Sequence, residues 1–237
     1  MRLACPYQLS PTQNLMGNGM QASARNEVAG DPNFASLVFG CHFDGTTTTF
    51  TDIKGHTMTG AGGATQNSSV AKWGNAVQLD GSGDYVTVTA SADFSLPGDY
   101  AYMGWLYRAS GTADVTYIAQ NLGGAYLAFN WNGTTNWNIY LNSASASASG
   151  GTPPANGNWV FVEINRNGST VRQFAGGVEV INTSKTGTLG SGTVNLEMGG
   201  GIIFTDFPGT MDDWRLYKGW GGNTSNYTPP TAPFLDA

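Results

Sequence analysis

Charge is what this chain has least of. Asp, Glu, Lys and Arg make up 11 % of its 237 residues, against about a quarter in ordinary soluble domains. The net charge is −6 and no run of Lys or Arg occurs anywhere. Holding nucleic acid requires neutralising its phosphates, so nucleic acid is excluded as a partner. The apolar runs fall far short of the ~20 residues that cross a bilayer as a helix. Cysteine is scarce too: Cys5 and Cys41 lie in different segments. The opening "MRLACPYQLS" has a lipoprotein-like look around Cys5, but no apolar stretch precedes it, so it is not read as a signal peptide. Two thiols without an export signal are expected to stay reduced and separate in a reducing cytosol. The alternative is a bridge pinning the N-terminal segment to the core.

What is abundant is Gly, with 34 residues, together with Thr, Ser and Asn. These are poor helix formers and good turn formers. With 40 % apolar residues there is enough material for a core, which excludes wholesale disorder. Residues 1–35 carry no sustained period of two or 3.6 and read as an extended arm. Its scattered Leu9, Leu15, Met16 and Met20 suit anchoring on a partner surface or neighbouring subunit; a mobile tail is the alternative. From residue 36 to 237 the pattern is β throughout. "LVFGCHFDG" alternates, with Leu37, Phe39, Cys41 and Phe43 on one face. "YLAFNWNGTTNWNIYLN" reads as a hairpin turning at Asn132-Gly133, and "NWVFVEINRNGSTVRQFAGGVEVI" as another turning at Asn167-Gly168-Ser169. About a dozen short strands with no helix of normal length predict an all-β sandwich of two antiparallel sheets. The low-complexity stretch 142–158 reads as a long exposed loop.

Four phrases occur in an order that resembles a known family. "GNAVQLDGSGDYVTVTASADFSL" is similar to the early strands of concanavalin A-like, laminin G-like jelly-roll domains. "GNWVFVEINRNGSTVRQFAGGVEV" resembles that family's central hairpin, and "FPGTMDDWRLYKG" its closing strand. The ending "YTPPTAPF" is similar to the tail of versions found in bacteriophage structural proteins. The resemblance covers about residues 37–236. It implies a concanavalin A-like jelly roll with a concave face and rim loops that bind carbohydrate or calcium in many members. The same fold serves lectins, adhesion modules, glucanases and virion proteins, so it does not fix the function.

The side-by-side acids Asp212 and Asp213 raise the question of glycoside hydrolysis. On a regular strand they would point to opposite faces, whereas a glycosidase aims two carboxylates at one bond. The E-x-D-x-x-E phrase of the family's glucanase branch is missing: none of Glu27, Glu163, Glu179 and Glu197 begins it. One of the two acids is therefore expected to be a structural brace. The expectation falls on Asp213, pairing with Arg215 or accepting backbone N–H bonds at a strand end. Asp44, Asp52, Asp80 and Asp84 are the candidates for a structural calcium ion, since hard cations take several carboxylate and carbonyl oxygens; Asp capping turns is the bland alternative. His42 and His56 have no zinc-ligand spacing, and no G-x-S-x-G is present. Trp131, Trp137 and Trp220 are the candidate sugar platforms, with core packing or a subunit interface the favoured role for the first two; Trp105, Trp159 and Trp214 are expected in the core.

These readings converge on a non-enzymatic bacteriophage virion surface protein, a capsid decoration or short head spike, made in the host cytoplasm. Its arm would grip the major capsid protein or another virion protein, and the sandwich, as a homo-oligomer and expectedly a trimer, would project outward. The alternative is a carbohydrate-binding adhesion module of a tail fibre or secreted protein that holds a cell-surface glycan. A glycoside hydrolase ranks third. No cofactor is expected beyond structural calcium.

Overall fold

The structure is a computed structural model that describes residues 31–133 and 135–236. Leu9, Leu15, Met16, Met20 and Cys5 lie outside the described residues. The described chain contains fifteen strands: β1 (Leu37–Cys41), β2 (Met58–Ala61), β3 (Thr65–Asn67), β4 (Ala76–Asp80), β5 (Tyr85–Val88), β6 (Tyr100–Arg108), β7 (Val115–Asn121), β8 (Tyr126–Asn132), β9 (Asn136–Ser143), β10 (Ala148–Gly150), β11 (Trp159–Asn167), β12 (Thr170–Ala175), β13 (Val178–Ser184), β14 (Leu196–Met198) and β15 (Pro208–Lys218). The only helical turns among the described residues are 3₁₀ turns at Phe34–Ser36 and Ala92–Phe94.

Two antiparallel sheets result. One runs β13-β12-β11-β6-β15-β4-β3, with β1 also on β15; the other runs β10-β9-β8-β7-β14-β5-β2. The two predicted hairpins form in the expected register. Trp131 faces Trp137 across β8 and β9, and Asn167 faces Thr170 across β11 and β12. Gly133 makes the first turn possible because it adopts φ 53°, a left-handed conformation that costs a side-chain-bearing residue more. The 142–158 stretch is not all loop: β10 lies within it and pairs with β9.

Alternation decides what each strand buries. Along β6, Tyr100, Tyr102 and Leu106 enter the core between the sheets, while Ala101, Met103 and Trp105 form a second cluster on the outer face. On β11, Val160, Val162 and Ile164 point inward and Phe161 outward. Each fully buried large side chain contributes about 1.5–3 kcal/mol. Gly104 lies on the inner side, where a Cβ would sit 2.4 Å from the Trp214 ring. The absent side chain is what lets that indole lie against β6.

The outer face of the eight-stranded sheet is not bare. Residues 31–35, assigned to the arm from sequence, pack there instead: Phe34 adds to the second cluster, and Asp31 Oδ2 accepts from Arg215 Nη1 at 2.9 Å and from the Tyr217 hydroxyl at 2.6 Å. The C-terminal segment crosses the same face. Tyr227 packs edge-on to Phe161 and Phe174. The wholly buried Glu163 accepts from Asn223 N and Nδ2, both at 2.7 Å. That buried carboxylate is tolerated because it is hydrogen-bonded.

Candidate functional site

Where β15 passes from one neighbour to the other, the strand is irregular. Pro208–Met211 pair with β4 and Trp214–Tyr217 with β1. Between them the register against β6 shifts, from Asp212 facing Trp105 to Arg215 facing Met103. Asp213 sits in this bulge at φ 52°. An extra residue flips the parity. Met211, Trp214 and Leu216 all face the inter-sheet core, and Tyr217 faces outward. A regular strand would set Met211 on one face with Asp213, Arg215 and Tyr217; the bulge separates Met211 from Tyr217. Leu37 departs from its predicted face for the same reason: a register shift between Leu37 and Phe39 sends it to the outer cluster.

The two acids serve different segments. Asp212 Oδ2 accepts from the backbone N–H groups of Lys72 and Trp73 at 2.8 and 3.0 Å. Burial pushes its carboxyl up to about 7, against the lowering effect of those two N–H groups. Asp213 does not pair with Arg215. Its Oδ1 lies 2.7 Å from His42 Nδ1 and its Oδ2 accepts from Phe234 N at 2.8 Å, so the brace acts through His42 and a backbone N–H. Arg215 binds Asp31 and Asp236, at 2.9 and 3.0 Å. His42 Nε2 also reaches Asp236, at 2.8 Å. Its pKa is raised to about 9, chiefly by Asp213, with burial opposing and Asp236 adding. This cluster spends its charges on holding chain segments together.

The calcium candidates are distributed rather than convergent. Asp44 accepts from Asn75 N at 2.9 Å. Asp52 accepts from Gly40 N and from His56 N and Nδ1. Asp80 accepts from Ser82 N, and Asp84 from Gly63 N and Asp80 N. Asp80 and Asp84 share a turn, but among the described residues no three acidic, His or Cys side chains are gathered as metal ligands. Asp80 caps its own turn at Ser82, whereas Asp44, Asp52 and Asp84 also hold backbone N–H groups 31, 12 and 21 residues away.

The aromatic candidates change places. Trp131 and Trp137 are 1 % and 0 % exposed, with ring centroids 5.0 Å apart. They are core side chains, and no sugar can stack on them. Trp220 is half-buried against Tyr217. Trp159, expected in the core, is instead half-buried at the start of β11, packed against the outer cluster. Its ring lies 5.5 Å from that of Tyr107, its partner in the β6–β11 register. It lines a cleft of about 620 Å³ on the outer face of the eight-stranded sheet, together with Lys72, Trp105, Thr152, Val178 and Pro229. Lys72 Nζ lies 3.9 Å from the centre of the Trp105 ring. Val178 is 53 % exposed, so the cleft opens to solvent. The sequence did carry a signal: Trp159 directly follows the polar "GTPPANGN", placing it at a strand end beside a loop. Lys72 gave none, because its position depends on Asp212, 140 residues away. On the other sheet, Asn130 and Asn138 keep buried carbonyl oxygens without partners among the described residues. That face, around Ala119, Ala128 and Tyr140, is overlaid by Ile202, Ile203 and Phe204.

No curated protein matches the chain. Among solved structures it is similar to domain 4 of AbnA, a GH43 extracellular arabinanase from Geobacillus stearothermophilus, in complex with arabinotriose. The TM-score is 0.63 at 17 % identity, over 79 % of this chain and 94 % of that one. It is similar also to the botulinum neurotoxin serotype G binding domain, with TM-score 0.61, 10 % identity and coverage of 79 % and 48 %. Trypanosoma rangeli sialidase gives TM-score 0.59, 13 % identity and coverage of 80 % and 31 %. The chain thus spans nearly all of the first but half or less of the other two, and at these identities the likeness is one of fold. A family model described as the concanavalin A-like lectin/glucanases superfamily matches residues 80–220. That match spans more than half of the chain and agrees with the two-sheet topology, and the chain belongs to that superfamily.

Proposed function

We propose that the protein is a non-enzymatic glycan-binding sandwich whose site is the Trp159 cleft. The observation that carries this reading is an open, aromatic-lined depression of about 620 Å³ that sets Lys72 and Thr152 beside Trp105 and Trp159. Small-ligand sites have this size and lining. The part of the Trp159 indole that lines the cleft offers an apolar surface to a sugar ring, while Lys72 and Thr152 supply polar contacts beside it. Among the described residues no carboxylate lines the cleft, which speaks against the paired acids that glycoside hydrolysis uses at this site. The arabinotriose bound to the arabinanase domain supports a glycan as ligand. Titrating the protein with a panel of neutral and acidic oligosaccharides tests the reading. Trp159→Ala should weaken binding about tenfold or more at temperatures where the variant remains folded. Equal binding by parent and variant, or no binding across the panel, would sink it.

The setting we propose is the surface of a bacteriophage particle, as a homo-oligomeric capsid decoration or short spike. Support comes from the closing "YTPPTAPF" and the apolar residues scattered along 1–35. The full chain and a version lacking residues 1–30 would be mixed with capsids of the source phage stripped of surface proteins, then sedimented. Co-sedimentation of the full chain alone, at saturating and symmetry-compatible stoichiometry, is the expected result; binding by neither removes the capsid assignment.

A further inference from the structure

We infer that the Trp159 cleft selects glycans that carry a carboxylate, with Lys72 as the specificity-determining residue; this rests on the glycan-binding reading above. Lys72 is the one charged side chain among the described residues lining the cleft. Its backbone is pinned by Asp212, so the residue is held in place. Its ammonium lies over the Trp105 ring at 3.9 Å and near the Trp73 ring at 5.7 Å. It has no salt-bridge partner among the described residues, whose ion pairs all involve His42, His56, Arg172 or Arg215.

The aromatic floor brings no rival for that charge: Trp105 is 7 % exposed, and its indole N–H is itself buried, with no acceptor among the described residues, so the ammonium is the charged donor that this end of the cleft presents. A ligand that answers it brings oxygen acceptors and negative charge. A carboxylate does so through a charge-assisted hydrogen bond to the ammonium, while its sugar ring lies on Trp159. An ammonium set on aromatic faces is partly stripped of water, which strengthens its attraction for an anion. With a net charge of −6 over the whole chain, the protein as a whole repels anions, so acid selectivity would depend on this one cation.

The test uses the full chain with trigalacturonate and sialyllactose as probes, each compared with its methyl ester, which keeps the shape and removes the charge. The parent should bind at least one acid about tenfold or more tighter than its ester at low salt, a preference that shrinks as salt rises. Lys72→Gln should abolish the preference and Lys72→Arg restore it, with melting temperatures unchanged. An ester that binds as tightly as its acid, or a preference that survives Lys72→Gln, overturns the inference while leaving a Trp159-dependent glycan site intact. Failure of both acids to bind also overturns it, and the neutral members of the panel then decide whether the glycan reading stands.

Discussion

Asp212 and Asp213 are chemically identical neighbours with opposite effects on stability. The Asp212 carboxyl is pushed up to about 7 by burial, so the folded chain binds a proton there more tightly than the unfolded chain does. Its contribution is fully present below the unfolded value of about 3.9 and is lost as pH rises through 7. Asp212→Asn keeps an oxygen for the two backbone N–H groups and removes the ionisation. The variant should match the parent near pH 4 and melt higher than it above pH 7. The pair at Asp213 behaves otherwise. His42, raised to about 9, contributes fully below its unfolded value of about 6.5 and loses that contribution as pH rises through 9. Asp213→Asn should therefore lower the melting temperature most near pH 6, and less by pH 10. Thermal melts of the three proteins across pH decide both points. A variant at 213 that melts like the parent at pH 6 would falsify the brace. The sequence made the brace legible but not its partner, because His42 lies far along the chain and is brought alongside only by the pairing of β1 with β15.

At the scale of elements, hairpins were legible and irregularities were not. The β8–β9 and β11–β12 turns are written in Asn-Gly steps between alternating apolar residues, and local chemistry suffices to place them. The bulge at Asp213 and the shift after Leu37 have no comparable local signature. They arise because β15 must serve β4 and β1 in succession along one edge. They then decide which side chains reach the core. β6 shows how tightly the inner layer is fitted around Trp214. Gly104→Ala would place a methyl group 2.4 Å from that indole, and overpacking of this kind costs about 1–3 kcal/mol. We expect a drop of several degrees in melting temperature, with glycan binding at the outer cleft unchanged at temperatures below the transition. An unaltered melting temperature would mean that Trp214 has room to move.

At the scale of the whole molecule, the described ends of the chain meet on one face. Asp31, before the first strand, and Asp236, near the C-terminus, are both held by Arg215, while Tyr227 and Phe234 lie over the outer cluster. Pro229 of the same C-terminal segment forms part of the wall of the cleft that holds Trp159 and Lys72. By itself the sequence determined the class of fold, since period-two alternation and Gly/Asn turns permit little else, and four phrases in order indicated the superfamily. It also showed that no glucanase-type acid motif is written in the chain. Only the tertiary structure decided which tryptophans face water, because alternation assigns a residue to a face of a strand but not to what covers that face. Trp131 and Trp137 lie in the core between the sheets; Trp159 lies on the outer face, only partly covered. Lys72 joins the cleft for the same reason, through a carboxylate from the far end of the sequence that fixes its loop.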